Sequence, residues 1–257
     1  KFFVMANVVG LITHDKGNTL KRIEEKFSSI GYFFDWKILN AASFGVPQKR
    51  ERLIMIGSKS KNSIQFPKPT HFFEGKVIGH RDKSRNLVTK DRSILALTVN
   101  DAISDLPALS RNETKNIFQS SPLNEYQSAR RKNSSELTLH KATNHSDKML
   151  EIMKYAGENI SSIPGHLITS GFSSCYSRLD GNKPSTTITV KFTSPASSRC
   201  IHPEQNRAIT AREAARIQSF DDNYIFKGPI TEIASQIGNA VPPLLAEAIG
   251  NALVNNV

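Results

Sequence analysis

The sequence predicts an α/β protein, and three observations lead to this fold class. The apolar run at residues 53–56 shows no alternation, which is typical of a strand covered on both faces of a parallel or mixed sheet. Residues 2–9 and 32–39 are predicted as two further strands. Between them, apolar residues recur at helical spacing from Thr19, and Gly31 is placed to end that helix. The order strand, helix, strand, strand belongs to one side of an α/β sheet.

A basic loop leads into the third of these strands. It occupies residues 40–52 and contains a glycine, a proline and three closely spaced basic residues. Arg50 and Arg52 stand two apart, so in an extended chain both guanidinium groups project to the same side. Such a pair suits a carboxylate, a phosphate or the edge of a nucleobase. The alternative is an ordinary surface salt bridge with Glu51 or another neighbour.

The composition indicates a globular protein with a polyanionic partner. The chain has 257 residues, of which 38% are hydrophobic and 22% charged, and 34 Lys and Arg residues against 23 Asp and Glu give a net charge of +11. An excess of this size favours nucleic acid first and an anionic membrane surface second. No apolar run approaches the roughly 20 residues of a membrane span, and no signal-peptide pattern opens the chain. Nucleic acid is therefore the expected partner.

The two cysteines, Cys175 and Cys200, predict neither a disulfide framework nor a metal site. They form no CxxC motif and no paired Cys/His spacing, which fits a reducing cytoplasm. The first residues of the chain already read as a buried strand. Because chains rarely begin inside their own core, we expect that part of the fold precedes Lys1 or is supplied by another chain.

The middle of the chain is less regular and is predicted to contain a second module. Asn100 is placed to cap a short helix over residues 101–105, which Pro107 ends. Residues 110–170 are rich in Ser, Asn and Lys. A basic cluster in this stretch is either a solvated face or a set of phosphate contacts; it consists of Arg130, Arg131 and Lys132.

Three patterns stand out in the last third of the chain. Residues 184–190 form a β-prone run whose hydroxyl groups can bond neighbouring strands or a ligand. Thr210 and Glu213 have the spacing of a capping box, which predicts a helix start. Gly238 and Asn239 are predicted to form a turn that leads into a Pro-initiated helix. Free backbone N–H groups and the positive end of the helix dipole would then suit a carboxylate or phosphate group.

Four blocks, in their order and spacing, resemble the later signature blocks of the DNA (cytosine-5) methyltransferases. The blocks are NAASFGVPQKRERLIMIG, PSTTIT, HPEQNRAITAREAARIQSF and QIGNAVPPLLAEAIG. The resemblance implies the second half of a Rossmann-like domain that binds S-adenosylmethionine, with a smaller target-recognition domain inserted. It places the catalytic domain at residues 1–109 and 233–257 and the recognition domain at residues 110–232. It also implies duplex DNA as partner and a target cytosine flipped out of the helix.

The resemblance assigns catalytic positions to the basic loop. The family's Gln-x-Arg-x-Arg block corresponds here to Gln48, Arg50 and Arg52. In the family the second Arg of this block holds the flipped cytosine, and that position is Arg52.

Cofactor and DNA contacts follow from the other blocks. Asn239 matches the residue that contacts the methionine end of the cofactor, and Ala240 and Val241 belong to the same block. Thr187 and Thr189 in the PSTTIT block are expected to contact DNA, together with the basic cluster.

Two departures from the family pattern concern the chemistry itself. The family's nucleophilic cysteine lies in an upstream Pro-Cys block, and the Gly-rich cofactor loop lies further upstream; neither block occurs in these 257 residues. Residues 6–8 resemble the Glu-Asn-Val block, in which the Glu donates a proton to the cytosine ring, but Ala6 stands at the Glu position. We therefore expect that the chain is inactive alone and is completed by an N-terminal half. We expect the enzyme in the cytoplasm of a bacterium, associated with the nucleoid.

Two other functions are compatible with these residues. A tRNA-methylating relative shares the same blocks, although the long basic segment at residues 110–170 favours a full DNA recognition domain. A non-catalytic DNA-binding or regulatory partner would explain Ala6 and the missing nucleophile. It would not explain Arg52 and Asn239, because a pure binder needs neither a cytosine contact nor a cofactor contact.

Overall fold

The computed structural model describes residues 2–60, 64–168 and 171–254. The chain divides into two compact units. The first comprises Lys1–Gly45, Lys49–Ala96 and Pro243–Val257, and the second comprises Val46–Gln48 and Leu97–Pro242. The boundaries at residues 109/110 and 232/233 stay a prediction. They separate a catalytic domain from a recognition domain, whereas the two units are defined only by how compactly the chain packs.

A mixed four-stranded sheet forms the centre of the first unit. Its third strand in the chain, β3, lies between β1 and β2 and is antiparallel to both, and the short β4 is parallel to β2 at the edge. Leu53 to Ile56 in β3 have no exposed surface, as the unalternated apolar run predicts. The strands are β1 (Phe2–Asn7), β2 (Phe33–Asn40), β3 (Glu51–Ser58) and β4 (Asn86–Leu87).

The described part of the first unit contains two α-helices, α1 (Asn18–Ser29) and α7 (Pro243–Val254). Leu20 of α1 packs with two β3 side chains, Leu53 and Met55. Gly31 ends α1 as predicted: its φ is +76°, and its N–H donates to the carbonyl of Ser28. The strand, helix, strand, strand order predicted from the sequence is confirmed.

The described part of the second unit is built from five helices and long loops. Thr98, and not the predicted Asn100, caps α2, because Thr98 and Asp101 form a capping box. The predicted capping box of Thr210 and Glu213 is confirmed at α5. The helices are α2 (Val99–Ile103), α3 (Glu125–Arg131), α4 (Asp147–Lys154), α5 (Ala211–Ile217) and α6 (Ile230–Asn239).

A buried ion cluster lies in the second unit. Arg216 donates to both carboxylate oxygens of Asp222 at 2.6 Å, and to Asp105 at 3.1 and 3.3 Å. All three side chains have no exposed surface. Burial by itself would lower the pKa of Arg216, yet the hydrogen bonds and charges of Asp222 and Asp105 raise it. The guanidinium group of Arg216 therefore stays charged inside the unit.

Residues 184–190 do not form the strand that their β-prone composition favours. Ser185 makes a single isolated bridge with Gln48, and no ladder continues from it. The backbone N–H of Ile188 donates to the Gln48 side chain instead of to a neighbouring strand. A side-chain acceptor has therefore replaced the partner strand that β-propensity would require.

No helix in the described part of the chain combines the length and apolarity needed to cross a membrane.

Candidate functional site

The basic loop is fixed at both ends before it reaches β3. At its start, the Asn40 side chain accepts a hydrogen bond from the N–H of Ala42 at 3.1 Å. At its end, the carbonyl of Arg50 accepts from the N–H of Ala41 at 2.9 Å. These bonds hold the two ends of the loop together, so the Arg50 and Arg52 side chains start from a defined position.

Glu51 does not form a side-chain salt bridge with Arg52. Its two carboxylate oxygens accept from the backbone N–H groups of Ile78 at 3.1 Å and Gly79 at 3.0 Å. Arg52 donates through Nη1 to the backbone carbonyl of Glu51 at 2.7 Å. Of the two interpretations of the Arg pair, the salt bridge with Glu51 is therefore wrong.

Burial brings the two guanidinium groups into an environment that disfavours their charge. Burial, with the added charge of nearby Arg52, lowers the pKa of Arg50 to about 9, and burial lowers the pKa of Arg52 as well. Arg50 is almost fully buried and Arg52 half-buried. An acceptor-rich group that binds beside Arg52 would relieve this repulsion, which favours a phosphate or a nucleobase edge as ligand.

The strand register brings Ala6 and Arg52 to the same face of the sheet. Ala6 pairs with Ile54, and Arg52 lies two residues before Ile54 on β3. Opposed residues of an antiparallel pair share a face, as do alternate residues of one strand. Ala6 and Arg52 are thus diagonal neighbours, a relation that places side chains roughly 7–8 Å apart. A longer side chain at position 6 would reach the surroundings of Arg52.

Gln48 belongs to a fully buried hydrogen-bond network in the second unit. Its Oε1 accepts from the N–H of Ile188 at 2.9 Å, and its Nε2 donates to Oε1 of Gln218 at 2.9 Å. Gln218 in turn donates to the carbonyl of Ile237 in α6 at 2.6 Å. The network joins the PSTTIT segment, the end of α5 and α6, so the amide of Gln48 positions other segments rather than facing a ligand.

We predict that Gln218→Leu destabilises the second unit. The apolar side chain would remove the hydrogen bond to the Ile237 carbonyl and leave Nε2 of Gln48 with only its long 3.5 Å bond to the Ile217 carbonyl, at a cost of about 1–3 kcal/mol. Urea denaturation followed by circular dichroism measures this loss. Gln236→Leu is the matched control, because Gln236 is exposed and makes one bond to the Lys227 carbonyl. Equal midpoints for both variants would contradict the importance of the network.

Thr189 lies close to the end of α6. A Cβ added at Gly238 would lie 2.4 Å from the backbone nitrogen of Val190, so only glycine allows this approach. Thr189 is exposed and Thr187 half-buried. The structure thus brings the PSTTIT segment beside Asn239, the next residue of α6, and leaves the Thr189 side chain accessible.

The predicted Gly-Asn turn is wrong, because α6 continues through Asn239. The backbone at Gly238 and Asn239 therefore lies at the carboxyl end of a helix, where the dipole is negative, and not at an amino end. The exposed side-chain amide of Asn239 remains available, and Ala240 and Val241 are half-buried after it.

Two members of the basic cluster are engaged within the second unit. Arg130 pairs with Asp221 at 2.9 Å and donates to the Ser219 carbonyl, and its side chain is only 14% exposed. Arg131 pairs with Asp105 at 3.3 Å and is 16% exposed. Lys132 is exposed. Of the three, Lys132 is therefore the side chain best placed to reach a phosphate.

The cysteines do not provide a nucleophile. Cys175 and Cys200 are both buried, and burial raises the pKa of the Cys200 thiol to about 12. In the described part of the chain, no group of three or more His, Cys, Asp or Glu residues could hold a metal ion.

Sequence reasoning missed two residues that organise these sites, Glu51 and Gln218. Glu51 was identified only as a partner for an arginine, although a carboxylate that stands between two arginines can instead accept from a distant loop. Gln218 directly follows α5 and is flanked by other polar residues, Arg216 and Ser219, so its type alone gave no signal. Its partners lie 170 and 19 residues away in the chain, so no local pattern indicates them.

Comparisons with known proteins agree on one family. The model of the C-5 cytosine-specific DNA methylase family matches residues 1–255. The type II methyltransferase M1.HphI of Haemophilus parahaemolyticus is 37% identical over 257 residues, covering 99% of this chain and 56% of that protein. The type II methyltransferase M.DdeI of Desulfomicrobium norvegicum is 33% identical over 286 residues, covering 98% of this chain and 62% of that protein.

A solved structure shares the fold. A crystal structure described as a prophage-encoded DNA modification methyltransferase (E. coli) has a TM-score of 0.69 and 23% identity, covering 99% of this chain and 69% of that chain. This likeness shows the fold alone. The chain spans about 60% of the length of the two curated relatives.

Proposed function

We propose, since this chain belongs to the C-5 cytosine-specific DNA methylase family, that it forms the part of a DNA (cytosine-5) methyltransferase that binds duplex DNA and holds the target cytosine. The observation that carries this proposal is the position of Arg52, half-buried at the start of β3 on the same face as residue 6. An enzyme that acts on a ring atom must take the base out of the stack, and the flipped base then needs donors that fix its polar edge. A guanidinium group supplies such donors in one plane.

Residues 110–232 are proposed as the target-recognition domain of this enzyme, inserted into the second half of a Rossmann-like catalytic domain. The resemblance of the flanking blocks supports this division. The second unit also supports it, because it combines short helices with long polar loops that can follow the surface of a duplex. Thr187, Thr189 and Lys132 are the accessible members of the predicted DNA contacts.

S-adenosylmethionine is the proposed cofactor, and it supplies an activated methyl group. Asn239 fits its amino acid end, because an exposed carboxamide can both donate to a carboxylate and accept from an ammonium group. The half-buried Ala240 and Val241 can shield the neighbouring part of the cofactor from water. The contribution of this chain would be to orient one end of the cofactor and to hold the cytosine.

We propose that this chain supplies neither the nucleophile nor the general acid of the reaction. The nucleophilic cysteine would come from a Pro-Cys block in an N-terminal part of the enzyme, which agrees with relatives that are longer than this chain. The proton that activates the cytosine ring would normally come from residue 6. The methyl group of Ala6 carries no proton, so transfer should be slow even in the completed enzyme.

Duplex DNA binding by the chain tests this proposal. We expect the affinity for unmethylated duplex fragments to fall with salt, with a logarithmic slope of about −0.9 for each phosphate contact. Lys132→Ala should reduce the magnitude of this slope by roughly one contact, whereas Arg52→Ala, which removes a base contact, should leave it unchanged. Fluorescence anisotropy over a salt series measures both. Lys21→Ala is the control, because Lys21 is exposed on α1 and pairs with Glu25.

Two results would contradict the proposal. Tighter binding of tRNA than of duplex DNA would favour the tRNA-methylating relative. An affinity that is indifferent to salt would remove the basic surface as the basis of recognition.

A non-catalytic DNA-binding partner is the second candidate, and Ala6 is the observation that favours it. Calorimetry separates the two candidates. Binding of S-adenosylmethionine in the presence of the N-terminal part, and its loss in Asn239→Ala, supports the enzyme. A chain that binds DNA but gives no heat with the cofactor supports the pure binder.

A further inference from the structure

A loop of the first unit presents an apolar side chain to solvent. The loop comprises residues 75–80 and is called the Ile78 loop here. Ile78 is 81% exposed and the adjacent Val77 is 40% exposed. Removing an exposed isoleucine side chain from water is favourable, so its burial would stabilise a complex with a partner. An apolar tip of this kind is therefore a candidate contact surface.

The backbone of the Ile78 loop is held at two places. The Glu51 carboxylate accepts from the N–H groups of Ile78 and Gly79, as described above. At the end of the loop, the Asn86 side chain accepts from the N–H of His80 at 2.7 Å and donates to its carbonyl at 2.8 Å. Because the loop is fixed before it meets a partner, little ordering entropy would be lost on binding.

The surroundings of the Ile78 loop favour a polyanion as partner. Residues 75–92 contain six Lys and Arg residues and two Asp residues. Four of the cations are exposed, and no carboxylate of the described residues forms an ion pair with them; they are Lys76, Arg81, Lys83 and Lys90. An apolar tip flanked by cations fits a nucleic acid, whose phosphates lie on either side of apolar sugar and base surfaces.

The anchoring residue relates the Ile78 loop to the proposed cytosine site. Glu51 holds the tip of the loop and is the first residue of β3, directly before Arg52. The loop and Arg52 therefore lie at the same end of β3, within the first unit. Glu51 and Arg52 are adjacent strand residues and project to opposite faces of the sheet, so a duplex that reached both Arg52 and Ile78 would have to lie across this end of the strand.

We propose that the Ile78 loop is a second DNA-contacting element, in which Ile78 packs against the sugar and base surfaces of the duplex while Lys76 and Arg81 contact the flanking phosphates. This inference rests on the proposed function, because it requires duplex DNA at the start of β3. Apolar side chains that wedge against base steps commonly accompany basic phosphate contacts in DNA-bending proteins.

The test compares Ile78→Ser with Leu95→Ser in the 257-residue chain. Leu95 is the matched control, because it is 65% exposed in the same unit and lies outside the Ile78 loop. Loss of the apolar contact should weaken duplex binding about ten- to a hundredfold in Ile78→Ser and leave Leu95→Ser unchanged. Ile78→Leu, which keeps the apolar surface, should retain most of the affinity.

The salt dependence identifies the type of contact. Ile78→Ser should weaken binding by the same factor at every salt concentration, because an apolar side chain releases no counterions. Lys76→Ala should instead reduce the slope of log affinity against log salt by about 0.9. Anisotropy measures the affinities, and circular dichroism confirms that each variant is folded.

The possible outcomes separate this inference from the proposed function. If the unaltered chain binds duplex DNA and Ile78→Ser binds equally well, the inference is wrong and the proposed function stands. If the unaltered chain does not bind duplex DNA, both are wrong. If only Ile78→Ser and Lys76→Ala lose affinity, in the two ways described, both are supported.

Discussion

Ala6→Glu is expected to raise the rate of methyl transfer by about 10² to 10⁴, the usual contribution of a positioned general acid. Position 6 is exposed at the edge strand β1 and shares a face with Arg52. A glutamate there can extend toward a cytosine held by Arg52 and donate a hydrogen bond to the ring. Neither the backbone nor the packing of β1 needs to change, because the Ala6 side chain is exposed.

The rate is measured as methyl incorporation into unmethylated duplex DNA, with the N-terminal part of the enzyme present. Ala6→Gln is the matched control, because its amide has the size of the glutamate but cannot transfer a proton. We expect the Gln variant to remain near the rate of the unaltered protein. If Glu and Gln raise the rate equally, position 6 contributes size or hydrogen bonding and not general acid catalysis.

Arg216→Met is expected to destabilise the second unit by about 3–5 kcal/mol, the usual cost of breaking a buried ion pair from one side. The substitution removes the hydrogen bonds to Asp222 and Asp105 and leaves both carboxylates inside the unit. Arg131 and Arg212 still lie within 4 Å of these carboxylates and compensate part of the charge. A second change, Asp222→Asn, should recover part of the stability by removing one uncompensated charge.

Urea denaturation followed by far-UV circular dichroism measures this effect. Arg111→Met is the matched control, because Arg111 pairs with Asp147 at the surface, where such a pair contributes about 0–1 kcal/mol. The only tryptophan, Trp36, lies in β2, so its fluorescence follows a unit that does not contain Arg216. Equal losses of stability in Arg216→Met and Arg111→Met would show that the buried cluster adds nothing beyond a surface pair.

Local sequence patterns predicted elements of both units where an element is fixed by interactions between near neighbours. The alternation-free run at residues 53–56 identified β3, and Gly31 identified the end of α1. The capping box of Thr210 and Glu213 identified the start of α5 in the same way. Each of these features depends on residues within one or two turns of one another, so the sequence contains all the information.

Sequence patterns failed where a backbone group contacts a residue that is distant in the sequence. The PSTTIT segment has the composition of a strand, but its N–H at Ile188 bonds to Gln48, which is 140 residues away. The Gly-Asn pair has the composition of a turn, but α6 continues through it and Gly238 packs closely against Val190. Propensity describes what a segment prefers alone, and these partners change the preference.

By itself, the sequence determined the family, the order of the elements in the first unit and the two arginines at the start of β3, because each depends on residue type and spacing. Only the tertiary structure decided which groups these residues contact. It showed that Glu51 holds the Ile78 loop and forms no side-chain salt bridge with Arg52, that Gln48 is committed to a buried network, and that Ala6 and Arg52 share a face. The physical reason is that a hydrogen bond or strand register is set by distance in space, which residue spacing along the chain does not specify.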